Sequence, residues 1–368
     1  MDFADIPFLP GLDLSQRFYQ QVVGPMLARY SPGLAHSACL IGYGSDVIGL
    51  DTPMSRDHMW GPRMVLFLPE DDFAQNREKV DQILRHHLPH RFEGYPTSFR
   101  PPDAGGVRVP SVESSGPVDH LIEIDTIPAY FDRELGAGRW RKPAVADWLA
   151  FSEHRLLSLT AGRVFHDDLG LEVVRAALAY YPRDVWLYLL ACEWSKIGQE
   201  EPFVGRAGTV NDDLGSRIIA ARLAHTCMRL GFLLERRYPP YSKWFGSAFA
   251  RLDIAPLLLP ILQRALSAGT WQEREAALCA AYETLAAHQN ELAIASLVET
   301  RCSNFHDRPY QVIHAERIAA VLQSAIQDDG LKRLALYGSA NQFSTSTDLL
   351  DSTTALGKLS ILYSQRSL

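Results

Sequence analysis

The chain is poor in cysteine, in basic charge and in long apolar runs, and each shortage excludes a class of protein. Its five cysteines lie far apart and form no CxxC pair, which is typical of reduced thiols in a cytoplasm rather than of a disulfide framework. No uninterrupted apolar stretch is long enough to cross a bilayer, and the first residues, MDFADIPFLPG, lack the basic region of a signal peptide. We therefore expect a cytoplasmic protein without a membrane partner.

Basic residues are outnumbered by acidic ones, 36 against 43, which gives a formal net charge of −7. Nucleic-acid-binding proteins usually carry a basic face, so no nucleic-acid partner is expected. The sequence also lacks a Walker loop, a dinucleotide-binding fingerprint and a G-x-S-x-G elbow. An apolar content of 47% is typical of a globular protein, and 368 residues suit two domains.

The first part of the chain alternates between strand and helix patterns, which predicts a small α/β domain. A region rich in Pro, Gly and Ser, from His90 to Pro117, is interpreted as a long loop. The predicted helices are Leu12–Tyr30 and Asp71–Leu88, and the predicted strands are His36–Ile41, Met64–Leu68 and Leu121–Ile127.

From about Pro143 the periodicity becomes helical throughout, which predicts an all-α bundle. The glycines and the proline between Gly136 and Pro143 interrupt the pattern, so we place the domains at 1–140 and 141–368. The predicted helices of the second part are Ala144–Leu159, Leu171–Tyr181, Asp184–Gly198, Asp213–Arg236, Tyr241–Leu266, Trp271–Leu297 and Tyr310–Ala325.

The most informative stretch runs from Cys39 to Leu68. Its first apolar run ends in a glycine turn that contains Gly44 and Ser45, and Asp57 opens a polar cluster just before the second apolar run. Backbone N–H groups at a turn that opens a helix bind phosphate, and a nearby carboxylate binds a metal. The alternative is a plain turn, which is how we interpret the similar pair Gly338-Ser339, because no strand-like run follows it.

This stretch resembles the signature of the nucleotidyltransferase superfamily. In that family a Gly-Ser pair follows a strand, an acid-apolar-acid triplet comes about one short helix later, and a further strand supplies a third acid. GSDVIGLDTPMSRDHMWGPRMVLFL, RVFHDDLG and YPPYSKWFG are similar, more closely, to a bacterial nucleotidyltransferase-like family that is catalogued only as a domain of unknown function. The resemblance implies an α/β plus all-α fold, in which a small mixed-sheet domain precedes a helical bundle and a cleft separates them.

The resemblance also implies an activity, the Mg²⁺-dependent transfer of a nucleoside monophosphate from an NTP to a small hydroxyl-bearing acceptor. Gly44 and Ser45 would hold the β- and γ-phosphates. Asp57 and Glu123 would bind the metal. Glu123 and Asp125 share one face of a predicted strand, and one of them would take the acceptor proton. The alternative for these two acids is a solvated sheet face.

Two cations and an aromatic residue complete the predicted site. Arg63 would pair with a phosphate, and Lys243, in the second long motif, would neutralise charge on the triphosphate. For Lys243 the alternative is a place at a helix start defined by the preceding prolines. Trp60 also flanks Asp57, and a tryptophan is more typical of a core than of a residue that stacks on a base, so stacking is the alternative for it.

Met59 departs from the family pattern, because it occupies the position of the triplet's second acid. A thioether is a poor ligand for Mg²⁺. Either Asp46 or Asp51 substitutes, or the site binds one metal, or catalysis is lost and the protein is a nucleotide-binding or regulatory protein. A third hypothesis is a metal phosphohydrolase built on the pairs His166-Asp167 and His306-Asp307, although its outlying ligands are not evident from the sequence.

Overall fold

The computed structural model describes residues 6–111 and 115–363, and these divide into two compact units. The first unit comprises residues 6–142 and 155–179, and the second comprises 143–154 and 180–363. Residues 155–179 therefore belong to the first unit, although residues on both sides of them in the chain belong to the second. The predicted domains, 1–140 and 141–368, stay a prediction.

The first unit is built on a small mixed sheet. Its strands are β1 (Ser37–Leu40), β2 (Arg63–Phe67), β5 (Leu121–Asp125) and β6 (Arg163–Asp167), in the order β5-β2-β1-β6, and a short hairpin of β3 (Arg91–Phe92) and β4 (Tyr95–Pro96) lies apart from it. β1 is antiparallel to both of its neighbours, whereas β2 and β5 are parallel. A mixed sheet combined with many helices confirms the predicted fold class.

Strand β6 corrects the expectation that the later part of the chain is wholly helical. It pairs with β1 along its length, from Arg163 opposite Leu40 to Asp167 opposite Ser37. All five residues are half-buried or exposed, so β6 carries no buried apolar run to mark it. An edge strand of this kind is specified by its partner, because the ladder of β1 would otherwise lack hydrogen bonds on one side.

Helices cover one face of the sheet and close the apolar core. They are α1 (Gly11–Phe18), a π-helical turn (Tyr19–Val23), α2 (Gly24–Tyr30) and α3 (Phe73–His87). Side chains alternate between the faces of a strand, and the even-numbered residues Met64 and Leu66 of β2 pack in this core with Leu14 and Val80. The predicted helices Leu12–Tyr30 and Asp71–Leu88 are thus confirmed, apart from the π-helical turn.

Strand β5 is shorter than the predicted Leu121–Ile127, because a helix begins where the alternation appeared to continue. Thr126 caps α4 (Ile127–Leu135), and its side chain accepts a hydrogen bond from the N–H of Ala129. Threonine and proline are favoured at a helix start. The opposite face of the sheet receives α4, since the ring of Tyr130 contacts that of Phe67 edge-on at 5.3 Å.

The second unit consists mainly of helices, with one two-stranded ladder, β7 (Ser303–Asn304) and β8 (Gln311–Val312). α6 (Glu153–Thr160) begins in this unit and continues into the first, where α7 (Leu171–Ala177) follows β6. The remaining helices are α5 (Val145–Ala150), α8 (Arg183–Glu200), α9 (Phe203–Thr209), α10 (Asp213–Leu234), α11 (Ser242–Phe249), α12 (Ala255–Ser267), α13 (Trp271–Glu291), α14 (Ala315–Ser324), α15 (Asp329–Arg333), α16 (Ala340–Phe343), α17 (Thr347–Asp351) and α18 (Thr353–Leu359).

Two predicted helices are broken in the structure. Ala144–Leu159 is interrupted at Phe151, whose backbone is extended, and Tyr241–Leu266 is interrupted between α11 and α12, where Pro256 occupies the first turn of the second helix. Proline starts a helix more readily than it continues one. Among the described residues, no helix is both long enough and apolar enough to cross a bilayer.

A buried ionic network lies within the second unit. Arg229 pairs with Glu153 at 2.9 Å and with Glu193 at 2.7 Å, and the three side chains are almost completely excluded from water. Two amides from the end of the chain complete it. Gln342 donates to Glu193 at 2.8 Å, and the side-chain oxygen of Asn341 accepts from the backbone N–H of Glu153. Buried charges need such partners, because an unpaired one would be strongly destabilising.

Glu275 on α13 generates a test of stability against pH. Burial raises its pKa from about 4.5 to about 7, and its Oε1 has no hydrogen-bond partner in the described part of the chain. Because the pKa of Glu275 is higher in the folded chain than in the unfolded one, protonation of Glu275 favours the folded state. This contribution to the free energy of unfolding is complete below the unfolded-state pKa and is lost as the pH rises through 7. Glu275→Gln should therefore raise the free energy of unfolding at pH 8 by on the order of 2 kcal/mol.

Urea denaturation at pH 5 and pH 8 measures this effect. Glu291→Gln is the control, because Glu291 lies at the end of the same helix with its side chain 75% exposed. An unchanged pH dependence for Glu275→Gln would contradict the assignment.

Candidate functional site

A buried ion pair organises the loop that follows β1. The guanidinium of Arg63, the first residue of β2, meets Asp46 through two contacts, Nη2 to Oδ1 at 2.6 Å and Nε to Oδ2 at 3.1 Å. Nη2 also donates to the carbonyl of Tyr43, and the Tyr43 ring lies 4.5 Å from the guanidinium. Asp46 raises the pKa of Arg63 against the opposing effect of burial. Arg63, predicted to bind phosphate, thus has two nitrogens engaged by the 42–46 loop.

Gly44 is required by this ion pair. Its φ is +118°, and a Cβ built on it would overlap Nη2 of Arg63 and Oδ1 of Asp46. The expectation that the turn opens a helix is wrong, since residues 43–49 form bends and turns in which the N–H of Leu50 donates to the carbonyl of Ser45. A helix N-terminus therefore does not contribute to anion binding at this loop.

Ser45 lies beside the element that carries Asp57. This element is a short 3₁₀ helix, Pro53–Asp57, and Oγ of Ser45 lies 3.3 Å from Oγ of Ser55 within it. The side chain of Asp57 is 64% exposed and its Oδ1 lies 2.9 Å from Nδ1 of His58. Ser45 therefore contacts the 3₁₀ helix at Ser55, and the accessible carboxylate of Asp57 lies at the end of the same helix.

Met59 has its thioether engaged by the protein. Its sulfur accepts the backbone N–H of Arg108 at 3.3 Å, and its own N–H donates to the carbonyl of Arg108. Met59 also has φ of +50°, a left-handed conformation that is uncommon for residues other than glycine, asparagine and aspartate. Met59 therefore holds the backbone of Arg108, at the position where the resemblance implies a second acid.

The substitutes considered for that acid are engaged as well. Asp46 is held by Arg63, and Oδ2 of Asp51 accepts the indole N–H of Trp60 at 3.0 Å and the backbone N–H of Gly11 at 2.8 Å. Trp60 is buried and its ring stacks on that of Phe8. The interpretation of Trp60 as a core residue, rather than one that stacks on a base, agrees with this packing.

Glu123 and Asp125 lie on β5, where Arg133 of α4 bridges them. Nη2 of Arg133 meets Glu123 at 2.6 Å and Nη1 meets Asp125 at 2.8 Å. Burial raises the pKa of Glu123 against the lowering effect of Arg133. These three residues line a pocket of about 320 Å³ together with Arg77 and Asp81 of α3. Both predicted acids are therefore paired with Arg133, and neither is paired with a residue of the 3₁₀ helix that carries Asp57.

The last predicted ligand, Lys243, belongs to the second unit. It is exposed near the start of α11, and its Nζ lies 4.9 Å from the centroid of the Trp244 ring. The assignment of all seven predicted site residues (Gly44, Ser45, Asp57, Arg63, Glu123, Asp125 and Lys243) to nucleotide or metal binding stays a prediction.

A cluster that the sequence did not predict lies elsewhere in the first unit. His36, His166 and Asp168 offer ligand atoms within 4.8 Å of one another. We call this the His36 cluster. The predicted partner of His166 was Asp167, but that carboxylate accepts the Ser37 hydroxyl and the N–H groups of α7 instead. The pairing of β6 with β1 brings the cluster together, and the pattern of the sequence contains no sign of that pairing.

Comparison with known proteins finds a family and solved structures to which this chain is similar. A family described as "Domain of unknown function (DUF4037)" matches residues 148–245, which confirms the expected resemblance to an uncharacterised family for that part of the chain. One solved structure that matches is a nucleotidyltransferase-like protein from Exiguobacterium sibiricum 255-15, at 10% identity and a TM-score of 0.33, covering 84% of this chain and 89% of that one. No curated protein matches significantly. The chain is similar to both, and the stretch from Gly44 to Leu68 lies outside the matched family residues.

The ion pair in the 42–46 loop predicts a large loss of stability on neutralisation. Asp46→Asn leaves the buried Arg63 without its counter-charge, which should lower the free energy of unfolding by about 3 kcal/mol. Chemical denaturation measures the loss. Glu93→Gln is the matched control, because the pair of Glu93 with Arg17 is exposed and should contribute less than about 1 kcal/mol. Equal losses for the two variants would contradict the structural role of the pair.

Proposed function

We propose that the protein binds a nucleoside triphosphate with one divalent metal ion at the surface formed by the 42–46 loop and the 3₁₀ helix Pro53–Asp57, and that it has lost efficient nucleotidyl transfer. Gly44 and Ser45 contact the phosphates, and Asp57 supplies the protein ligand of the metal. The single observation that carries the loss of transfer is Met59, which lies where the resemblance implies a second acid and whose sulfur contacts the N–H of Arg108.

The donor set fits one metal better than two. Mg²⁺ in nucleotide sites is commonly held by one or two carboxylates together with phosphate oxygens and water. Asp57 is accessible for that role, whereas Asp46 and Asp51 are each engaged by protein donors. A triphosphate would supply the remaining oxygen ligands, and transfer would lack the second carboxylate.

A preformed loop supports binding. The buried pair of Arg63 and Asp46 fixes the backbone around Gly44, so that little ordering accompanies the arrival of a ligand. Pre-organisation reduces the entropic cost of association. The guanidinium of Arg63 also balances the negative charge of Asp46, which would otherwise repel a phosphate.

The second candidate is the active transferase that acts on a small hydroxyl-bearing acceptor. The raised pKa of Glu123 favours it, because a general base is most effective when its pKa approaches the working pH. In this case Arg133 would have to release Glu123 when the acceptor binds. Pyrophosphate release from an NTP would distinguish an active enzyme from a binding protein.

Binding of the nucleotide can be tested by calorimetry with each NTP, with and without Mg²⁺. We expect binding that requires Mg²⁺ and is weakened roughly tenfold by Asp57→Asn, which removes the charge that faces the metal. Asp348→Asn is the matched control, because Asp348 is exposed beyond the similar Gly338-Ser339 pair. Failure of every NTP to bind would overturn the binding proposal and the transferase together.

Restoring the second acid separates the two candidates. Met59→Asp should raise the affinity for Mg²⁺ roughly tenfold in a degenerate site, and aspartate tolerates the positive φ of this position better than methionine does. Met54→Asp is the control, since Met54 is 85% exposed on the 3₁₀ helix that carries Asp57 and precedes Met59, and the substitution adds the same charge nearby. Pyrophosphate release by the unaltered protein, with no gain from Met59→Asp, would favour the active transferase.

A further inference from the structure

The His36 cluster lies at the end of β1 remote from the 42–46 loop. His36 precedes β1, His166 is in β6, and Asp168 follows β6, and the antiparallel pairing of the two strands brings these three positions together. The four residues of β1 separate the cluster from the loop by about 13 Å of extended chain. The cluster therefore does not belong to the nucleotide surface proposed above.

The three side chains face one another at short range. Nε2 of His166 lies 2.8 Å from Oδ2 of Asp168, and the rings of His36 and His166 stack with their centroids 4.5 Å apart. Despite the short distance, Nε2 of His166 is shielded from water and has no hydrogen-bond partner of acceptable geometry among the described residues. Two stacked imidazoles with a carboxylate are ligand types that suit a first-row transition metal.

The surroundings of His36 fix the orientation that a ligand needs. Its Nδ1 lies 3.0 Å from the carbonyl of Leu34, and a carbonyl only accepts, so Nδ1 carries the hydrogen and Nε2 offers its lone pair. Histidines that bind metals commonly donate their other ring N–H to a carbonyl in this way. The hydroxyl of Tyr19 lies 2.9 Å from Nε2, so it faces the lone pair that would bind an ion.

Tyr19 also marks an irregularity in the backbone. It is the first residue of the π-helical turn Tyr19–Val23, and such turns within α-helices are frequent at functional sites. The turn places a phenol against His36, beneath the ring of His166 at 6.0 Å. The cluster thus has a closed side formed by Tyr19 and an open side at Asp168, which is exposed.

We propose that His36, His166 and Asp168 bind one divalent transition-metal ion of the Zn²⁺ type, with a water or Tyr19 in the fourth position. Ligand atoms around tetrahedral Zn²⁺ lie about 3.4 Å apart, against the present spread of up to 4.8 Å. The exposed Asp168 and half-buried His166 can close that gap by small movements. A bound ion would join the edge strand β6 to β1.

Zinc titration of the EDTA-treated, dialysed full chain tests the proposal. Calorimetry should give one Zn²⁺ per chain, elemental analysis should agree, and Co²⁺ should produce the visible absorption of a tetrahedral site. His166→Gln and Asp168→Asn each remove a ligand, so each should weaken Zn²⁺ binding by at least the roughly tenfold that loss of an outer-shell partner costs. His86→Gln is the matched control, because His86 is exposed in the same unit, and it should bind as the unaltered protein does.

His36 is buried, so the variants are confined to the two accessible ligands and circular dichroism verifies that they fold. A chain that binds no Zn²⁺, or His166→Gln and Asp168→Asn variants that bind it as tightly as the unaltered chain, would overturn the proposal. Asp57→Asn should leave Zn²⁺ binding unchanged. The metal site and the nucleotide surface therefore succeed or fail separately.

Discussion

The buried pair of Arg63 and Asp46 is the constraint from which the geometry of the candidate site follows. An arginine at the start of β2 would be strongly destabilising without a counter-charge, and Asp46 supplies it from the loop after β1. The pair also accounts for Gly44, since any larger residue would collide with it. This contact therefore fixes the 42–46 loop, which follows β1, against the first residue of β2.

In the first unit the acidic groups near the predicted site are paired with partners from the protein itself. Asp46 is paired with Arg63, Asp51 with the indole of Trp60, and the acids of β5 with Arg133. Among these predicted metal ligands, Asp57 differs because it remains accessible. Its contact is with His58, and both side chains are exposed to solvent. A site that satisfies most of its carboxylates with its own cations and N–H donors retains little capacity for metal ions, and the thioether of Met59 adds none.

The sequence predicted the helices and central strands of the first unit well, because their apolar residues repeat with helical or strand periodicity. It failed at β6, whose residues are all half-buried or exposed, and at the turn after β1, where glycine serves an ion pair rather than a helix start. Short-range patterns also joined α11 to α12 and α5 to α6. Sequence spacing contains no information on pairing between strands more than a hundred residues apart, so His36 and Asp168 were not recognised as neighbours of His166.

The same limit applies in the predicted site. The sequence indicated that Ser45 and Asp57 belong together, and the structure brings Ser45 to the helix that carries Asp57. It did not indicate Arg133, because an arginine on an amphipathic helix has the same pattern whether it meets solvent or bridges two carboxylates. Partners of charged residues are chosen by tertiary packing.

The amides of Asn341 and Gln342 have a consequence for biosynthesis. Glu193 and the backbone of Glu153 receive these partners from residues that follow them by 149 and 188 positions, so the nascent second unit lacks both hydrogen bonds until that segment has been synthesised. A fragment limited to the family-matched residues 148–245 would keep both acids but never gain the two amides, and it would also separate β6 from β1. A chain that is terminated before position 341 should therefore be destabilised, so that chaperones bind it and proteases degrade it.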